Sequence, residues 1–129
     1  MKSLLTDVAA FHIACDVPVL SKLQIPSPER IMLRRNLIDE EVNKELLPAI
    51  DRNDLPAIAD GLADAIYVIV GTALEYGIPL DRVWEAVQRA NMAKVDPATG
   101  KVQKRADGKV LKPDGWKSPD VAAILARVA

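Results

Sequence analysis

Apolar residues recur along this chain at intervals of three and four, the period of an α-helix, and proline- or glycine-bearing breaks divide the pattern into four long stretches. The first covers residues 3–15, with Ser3 placed as an N-cap and Leu4, Val8, Phe11 and Ile13 directed toward the core. Asp16 to Pro28 carries Pro18, Pro26 and Pro28 and predicts an extended connector crossing the bundle. Ser27-Pro28-Glu29-Arg30 opens a second helix, which runs to about Arg52 and is bent near its end by Pro48. After the turn Asp51-Arg52-Asn53-Asp54, Asp54 caps a third helix with Pro56 in its first turn and Gly77 closing it after Tyr76.

The fourth helix starts at Ile78-Pro79-Leu80-Asp81 and carries Val83, Trp84, Val87, Ala90 and Met92 to about Lys94. A turn-rich break follows from Asp96 to Gly100. Lys101 to Arg105 and Lys109 to Lys112 then read as a small basic β-hairpin turning at Asp107-Gly108. Pro113 to Trp116 is a further turn, and Ser118-Pro119-Asp120 opens a short terminal helix ending near Val128. The expected fold is all-α: one domain over 1–129, an antiparallel bundle of about four main helices with a C-terminal hairpin and a short last helix.

Two segments add chemistry to this frame. Leu37 to Leu46 and Ile58 to Tyr67 lack internal proline, and each places acids four residues apart, so the members of a pair share a face although like charges there repel. At about 100° per residue, Glu41 and Glu45 fall on the side of Ile31, Ile38 and Val42, while Glu40 and Lys44 point away and look like an exposed ion pair. Asp64 precedes Ala65 to Leu74, an uncharged and almost continuously apolar run expected to be buried. The short turn between the second and third helices makes them antiparallel neighbours, so the two acid pairs can face each other. Gly61 and Gly71 lie on the acid-bearing face and permit close approach. Carboxylates gathered on core-facing surfaces need a partner, and oxygen-only ligands suit a hard cation such as Mg²⁺ held together with substrate phosphates. The plainer alternative is a pair of amphipathic helices with solvated acids.

Charge sharpens the picture. The net charge is −1, which argues against a nucleic-acid coat, yet residues 39–64 hold eight acids against two bases and residues 94–117 hold seven bases against three acids. One part suits a cation and the other an anion, and a polyphosphate with its metal has both needs. Cys15 is the sole cysteine, so no disulfide framework or cysteine-based zinc site is expected, and a reduced, cytoplasmic setting is the default. No stretch is read as a membrane span or as a signal peptide. His12, the only histidine, reads as a packed helix residue. Arg34 lies on the Glu41 side of the second helix, where it either reaches a phosphate or pairs with an acid.

The motifs together resemble the all-α nucleoside-triphosphate pyrophosphohydrolases, the MazG-like and phosphoribosyl-ATP pyrophosphohydrolase-like superfamily. The resemblance lies in Leu37-Ile38-Asp39-Glu40-Glu41, in Ile58 to Val68 (with Asp60 and Asp64), in Gly71-Thr72-Ala73, in Arg89 to Lys94 and in Gly108 to Pro113, with a weaker echo at Phe11-His12. It implies hydrolysis of a nucleotide's α–β phosphate bond to a monophosphate and pyrophosphate, with Mg²⁺ (or Mn²⁺) as cofactor. Carried onto this chain, the metal ligands are Glu41, Glu45, Asp60 and Asp64, and Glu40 is an outer-shell base. Asn91 and Lys94 resemble a late Asn-x-x-Lys that contacts the base or sugar and the phosphate. Arg34, Lys109 and Lys112 are further candidates for the anionic substrate. The chain departs from the usual three-residue acid spacing, since position 44 is Lys and position 61 is Gly.

The resemblance also implies a homo-oligomer, dimer or tetramer, with sites between subunits, and the apolar third and fourth helices offer more surface than short helices bury among themselves. Two other readings stand beside the enzyme: a helical module that binds nucleotide without turnover, and a purely structural helical dimer.

Overall fold

The computed structural model describes residues 1–129 and contains five helices and one two-stranded sheet. Helix α1 spans Lys2–Ala14. Helix α2 is continuous through three segments: α-helical Pro28–Ile38, π-helical Asp39–Leu46 and α-helical Leu47–Asp51. Helix α3 spans Leu55–Tyr76, α4 spans Leu80–Met92 and α5 spans Val121–Ala126. The all-α expectation holds.

The capping logic of the sequence is realised at several ends. Ser27 accepts from the Arg30 amide at 3.4 Å, Asp54 from the Ala57 amide at 3.1 Å and Asp120 from the Ala123 amide at 3.0 Å, each meeting a donor that a helix start leaves free. Gly77 ends α3 in the left-handed region, at φ +66°, which a β-carbon disfavours. The connector after α1 lies along this end of α3: the amides of Leu20 and Gln24 donate to the carbonyls of Leu74 and Tyr76, and that of Leu23 donates to Val128 near the C-terminus.

At the N-terminus the outcome differs. Helix α1 begins at Lys2 with Met1 as its cap, so Ser3 lies inside the helix. Its buried face is Val8 and His12, four residues apart, whereas Phe11 is 56 % and Ile13 68 % exposed. Phe11 instead meets Tyr67 of α3 edge-on, with ring centroids 5.9 Å apart. His12 is packed, as its position predicts, with Nδ1 3.3 Å from the Pro18 carbonyl oxygen.

Helix α3 is the centre of the bundle, packed against α1 and α2. It is, contrary to the sequence reading, long and apolar enough to cross a bilayer by length and composition. Its surroundings are those of a central helix in a helical domain, and the run Ala65 to Leu74 is buried on one side only. Ala65, Val70, Gly71 and Ala73 face inward while Ile66 and Ile69 face out. Beneath it lies a polar cluster that the sequence did not announce. Glu75 is 1 % exposed, and Arg30 Nε donates to its Oε1 at 2.7 Å. Its Oε2 is 3.1 Å from Arg34 Nη1 but out of hydrogen-bond alignment. Gly71 leaves room for this cluster, since a β-carbon there would sit 2.5 Å from Arg34 Nη2 and 2.7 Å from His12 Nε2.

The C-terminal part is an arm. Helix α4 packs chiefly on α5 and only sparsely on the bundle. Strand β1 (Val95–Asp96) pairs antiparallel with β2 (Lys101–Val102) around the turn predicted at 96–100. The hairpin expected over 101–112 is present in looser form, as a single Lys104–Val110 bridge with Arg105 donating to the Lys109 carbonyl across Asp107-Gly108. The regular ladder thus flanks the first turn, a pairing that strands of two residues are too short to signal in sequence.

Candidate active site

The acid-bearing part of α2 is where the helix changes its winding. Residues Asp39–Leu46 take i→i+5 hydrogen bonding and end two residues before Pro48, whose missing amide and bulky ring disfavour a regular α-helical turn ahead of it. A wider turn stacks residue i over i+5. Lys44 therefore pairs with Asp39, at 3.6 Å, instead of with Glu40 as the α-helical spacing predicts. Asn43 also donates to Asp39, at 2.8 Å, and this bond, followed by Lys44, holds the Asp39 carboxyl below its usual range.

The same winding turns Glu41 and Glu45 toward α3. The two helices approach closely where Leu46 meets Gly61, since a β-carbon on Gly61 would lie 3.3 Å from the Leu46 Cα. This contact sits next to both acid sets in sequence, so closeness of the backbones places them across a common gap. The result is a cleft of about 270 Å³ lined by Glu41, Glu45, Asp60 and Asp64 with Arg52, Ala57 and Gly61. The mutual field is visible at Glu41. Its carboxyl is pushed above the ordinary range first by desolvation and then by Asp64, Glu40, Glu45 and Asp60, in that order.

These acids face one cleft yet do not form a ready-made coordination shell: no three of them are gathered closely enough to hold one ion. Glu45, Asp60 and Asp64 are exposed and only Glu41 is half-buried, so Asp64 sits on an open wall instead of at the mouth of a closed interior. Exposed carboxylates of like charge lose nothing by staying in water. The donor set nevertheless fits a hard divalent cation: oxygen ligands only, four negative charges and one neighbouring base. Glu40 is exposed beside Glu41.

Arg52 is the cleft residue that the sequence reading passed over. It belongs to the turn between the two acid-bearing helices and lies 3.5 Å from Asp54. Its position between two acid pairs, as one of two bases in residues 39–64, was the available signal. Arg34 takes the second of its two expected roles, pairing with an acid. It is buried, held by Glu75 and donates to the Thr72 hydroxyl at 3.2 Å and the Val68 carbonyl at 2.8 Å, so its fork is taken up by the fold. Burial lowers its pKa, partly offset by Glu75.

The remaining candidates lie on the arm. Lys94 donates to Asn91 Oδ1 at 3.1 Å, so these two form a unit at the end of α4. Lys94 and Lys112 line a second cavity of about 240 Å³ with Asp96, Gln103, Leu111 and Pro113. Lys109 is exposed at the hairpin turn, its amide donating to Asp107 at 3.1 Å. Within one chain the structure brings the four acids to one cleft and the two lysines to another.

The bundle is all-α, as the MazG-like all-α nucleoside-triphosphate pyrophosphohydrolase superfamily is. The sequence matches the phosphoribosyl-ATP pyrophosphohydrolase family over residues 8–91, well over half the chain, and the chain belongs to that family. The match contains all four acids and Asn91 but stops short of Lys94, Lys109 and Lys112. Among curated proteins, it is similar to the uncharacterized protein L479 of Acanthamoeba polyphaga mimivirus, with 42 % identity over 55 residues. That alignment covers 43 % of this chain and 22 % of the viral protein, so the chain spans about a fifth of its relative's length.

Proposed function

We propose that this protein is a Mg²⁺-dependent nucleotide pyrophosphohydrolase that cleaves the α–β phosphate bond of a nucleoside triphosphate, deoxynucleoside triphosphate or related nucleotide. The observation that carries the reading is the cleft itself: Glu41 and Glu45 on one helix opposite Asp60 and Asp64 on the next, inside the region that matches the family. Those four residues would supply the oxygen donors for the cation, drawn together as it binds, Mn²⁺ being the alternative ion. The chemistry such an ion would supply there is neutralisation of phosphate charge and acidification of a bound water. Arg52 meets the phosphates from the rim of the cleft. Glu40 would take the proton from the water as its oxygen bonds to the α-phosphorus, the bond from that phosphorus to the α–β bridging oxygen breaks, and pyrophosphate leaves with the bridging oxygen.

The working form is a homo-oligomer, a dimer or tetramer, in a cytoplasmic setting, with neither nucleic acid nor membrane as partner. The accessible surface is 9089 Å² for 14.0 kDa, against about 6,700 Å² for a compact monomer of that mass. Large apolar side chains stand on that surface, with Leu62, Ile66 and Ile69 of α3 and Trp84 and Met92 of α4 exposed. Packing of a second copy on these faces would cover them, and an assembly that set the arm of one copy against the acid cleft of another would join the two halves of the site.

Purified protein incubated with a panel of nucleotides and Mg²⁺ tests the reading. Stoichiometric monophosphate and pyrophosphate are expected. No pyrophosphate from any nucleotide, with the fold intact by calorimetry, overturns it. The second reading, nucleotide binding without turnover, is favoured by the lack of a pre-gathered ligand shell; it predicts nucleotide-dependent thermal stabilisation without product.

A further inference from the structure

Trp116 lies outside the family match and outside the acid cleft, yet two cations converge on it. Lys94 Nζ is 5.0 Å from its ring centroid and Lys112 Nζ is 4.9 Å from the same centroid. Each distance is within the range of a cation–π contact. The ring is fixed from behind, since its Nε1 donates to the Ala90 carbonyl at 2.7 Å, tying the loop after the hairpin to the last turn of α4. Neither lysine forms an ion pair. Lys94 has only the neutral amide oxygen of Asn91, and the one acid lining their cavity, Asp96, accepts from the Ala98 amide at 2.9 Å. Two ammonium groups drawn from different segments toward one ring repel each other, and the face of the indole offsets part of that repulsion. The cavity they line, about 240 Å³, leaves the side chains open to an incoming anion.

We infer that Trp116 is a positioning residue: it holds Lys94 and Lys112 as a two-cation clamp for a pyrophosphate-type anion. The inference assigns the phosphate end of the substrate, or the released product, to the arm, and in that sense rests on the function proposed above. Binding to the clamp requires neither hydrolysis nor Mg²⁺, so its failure and that of the enzymatic reading are separable. Lys94 and Lys112 grip the anion directly. Trp116 touches no phosphate and acts by keeping both ammonium groups on one site.

The chain has two tryptophans, so Trp84→Phe leaves Trp116 as the sole indole reporter. Titrating this variant with inorganic pyrophosphate in magnesium-free buffer at constant ionic strength is expected to change Trp116 emission saturably. The double variant Lys94→Gln/Lys112→Gln is expected to abolish the change. Sodium chloride at matched ionic strength is expected to give none. Trp116→Leu is expected to weaken pyrophosphate binding by roughly fivefold or more, with Trp116→Phe recovering most of it because a ring face remains. In the nucleotide assay the same loss appears in KM with kcat nearly unchanged.

An emission change with nucleotide but not with pyrophosphate assigns the clamp to bound substrate and excludes the product. If neither ligand moves the emission, or the lysine double variant responds like its parent, the clamp is refuted. If Trp116→Leu is folded by circular dichroism and binds as Trp116→Phe does, the positioning role is refuted. If Trp116→Leu does not fold, the titration of Trp84→Phe with and without the lysines still decides the clamp, and pyrophosphate affinity of Trp116→Met by isothermal calorimetry, expected to fall at least as far as predicted for Trp116→Leu and refuting the role if it matches Trp116→Phe, decides the positioning role.

Discussion

Lys44 reaches back five residues to Asp39, at 3.6 Å, and not four to Glu40. That single pairing reports the winding of the whole acid-bearing segment. Glu41 and Glu45 stand four apart, with Val42, Asn43 and Lys44 between them, one place wider than the spacing that the family resemblance implies. A π segment is how a helix takes in one extra residue without breaking, and Asp39–Leu46 is such a segment. Deleting Asn43 is therefore expected to return the segment to α-helical bonding with a Glu-x-x-Glu spacing and to keep the fold. Amide exchange or a crystal structure of the variant checks the winding, and retained Mg²⁺-dependent turnover checks that the acids still face α3.

The acid cleft itself is tested by amide isosteres. Glu41→Gln and Asp64→Asn are expected to remove activity by at least two orders of magnitude, in line with the loss of a ligand to a catalytic ion. The same changes are expected to raise the thermal midpoint of metal-free protein, because each relieves repulsion among the four carboxylates. Differential scanning calorimetry in chelator, run beside the product assay, separates the two effects.

A pH dependence follows from the Glu41 carboxyl, which folding raises above its ordinary range. The folded state holds that proton to a higher pH than the unfolded chain does. The penalty for ionising it is absent at pH below the ordinary carboxylate range and fully present above the raised value. Metal-free protein should thus lose this part of its stability as pH rises through that window. Mg²⁺ requires the ionised form, so its stabilising effect should fade as pH drops through the same window. Thermal midpoints with and without Mg²⁺ across pH measure both trends.

The buried Glu75 predicts the largest single loss of stability. Glu75→Ala leaves Arg34 charged and without its carboxylate inside the bundle, which costs about 3–5 kcal/mol. Gly71→Ala forces a β-carbon against Arg34 and His12 and is expected to be damaging as well. Urea unfolding monitored by circular dichroism gives both values.

Oligomerisation is testable at the exposed face of α3. Ile66→Glu with Ile69→Glu should shift sedimentation toward the monomer and lower activity while circular dichroism keeps its helical signature. Wild-type sedimentation as a monomer at all concentrations contradicts the assembly proposed here.

Much of this architecture was legible from local rules. Asp54, Pro56 and Gly77 bound α3 to within a residue, because capping chemistry is written in adjacent positions. The facing of Glu41 and Glu45 toward Asp60 and Asp64 followed from spacing and a short turn. What escaped depended on contacts distant in sequence. Glu75 is buried only because Arg30 and Arg34, more than forty residues earlier, come to it. Phe11 and Ile13 look like core residues on a helical wheel, yet α1 turns Val8 and His12 inward. The π winding escaped because a wheel assumes one pitch throughout.

The sparse seam between arm and bundle makes the molecule two cartridges on one chain. Changes to the hairpin or to α4 can accumulate without disturbing the packing around α3, and the acid-lined half can stay fixed while the lysine-bearing half is retuned. Divergence among relatives should accordingly fall unevenly, heavier beyond Asn91, where the family match ends, than before it, so that new ligand preferences arise by exchanging an appendage while the core stays as it is.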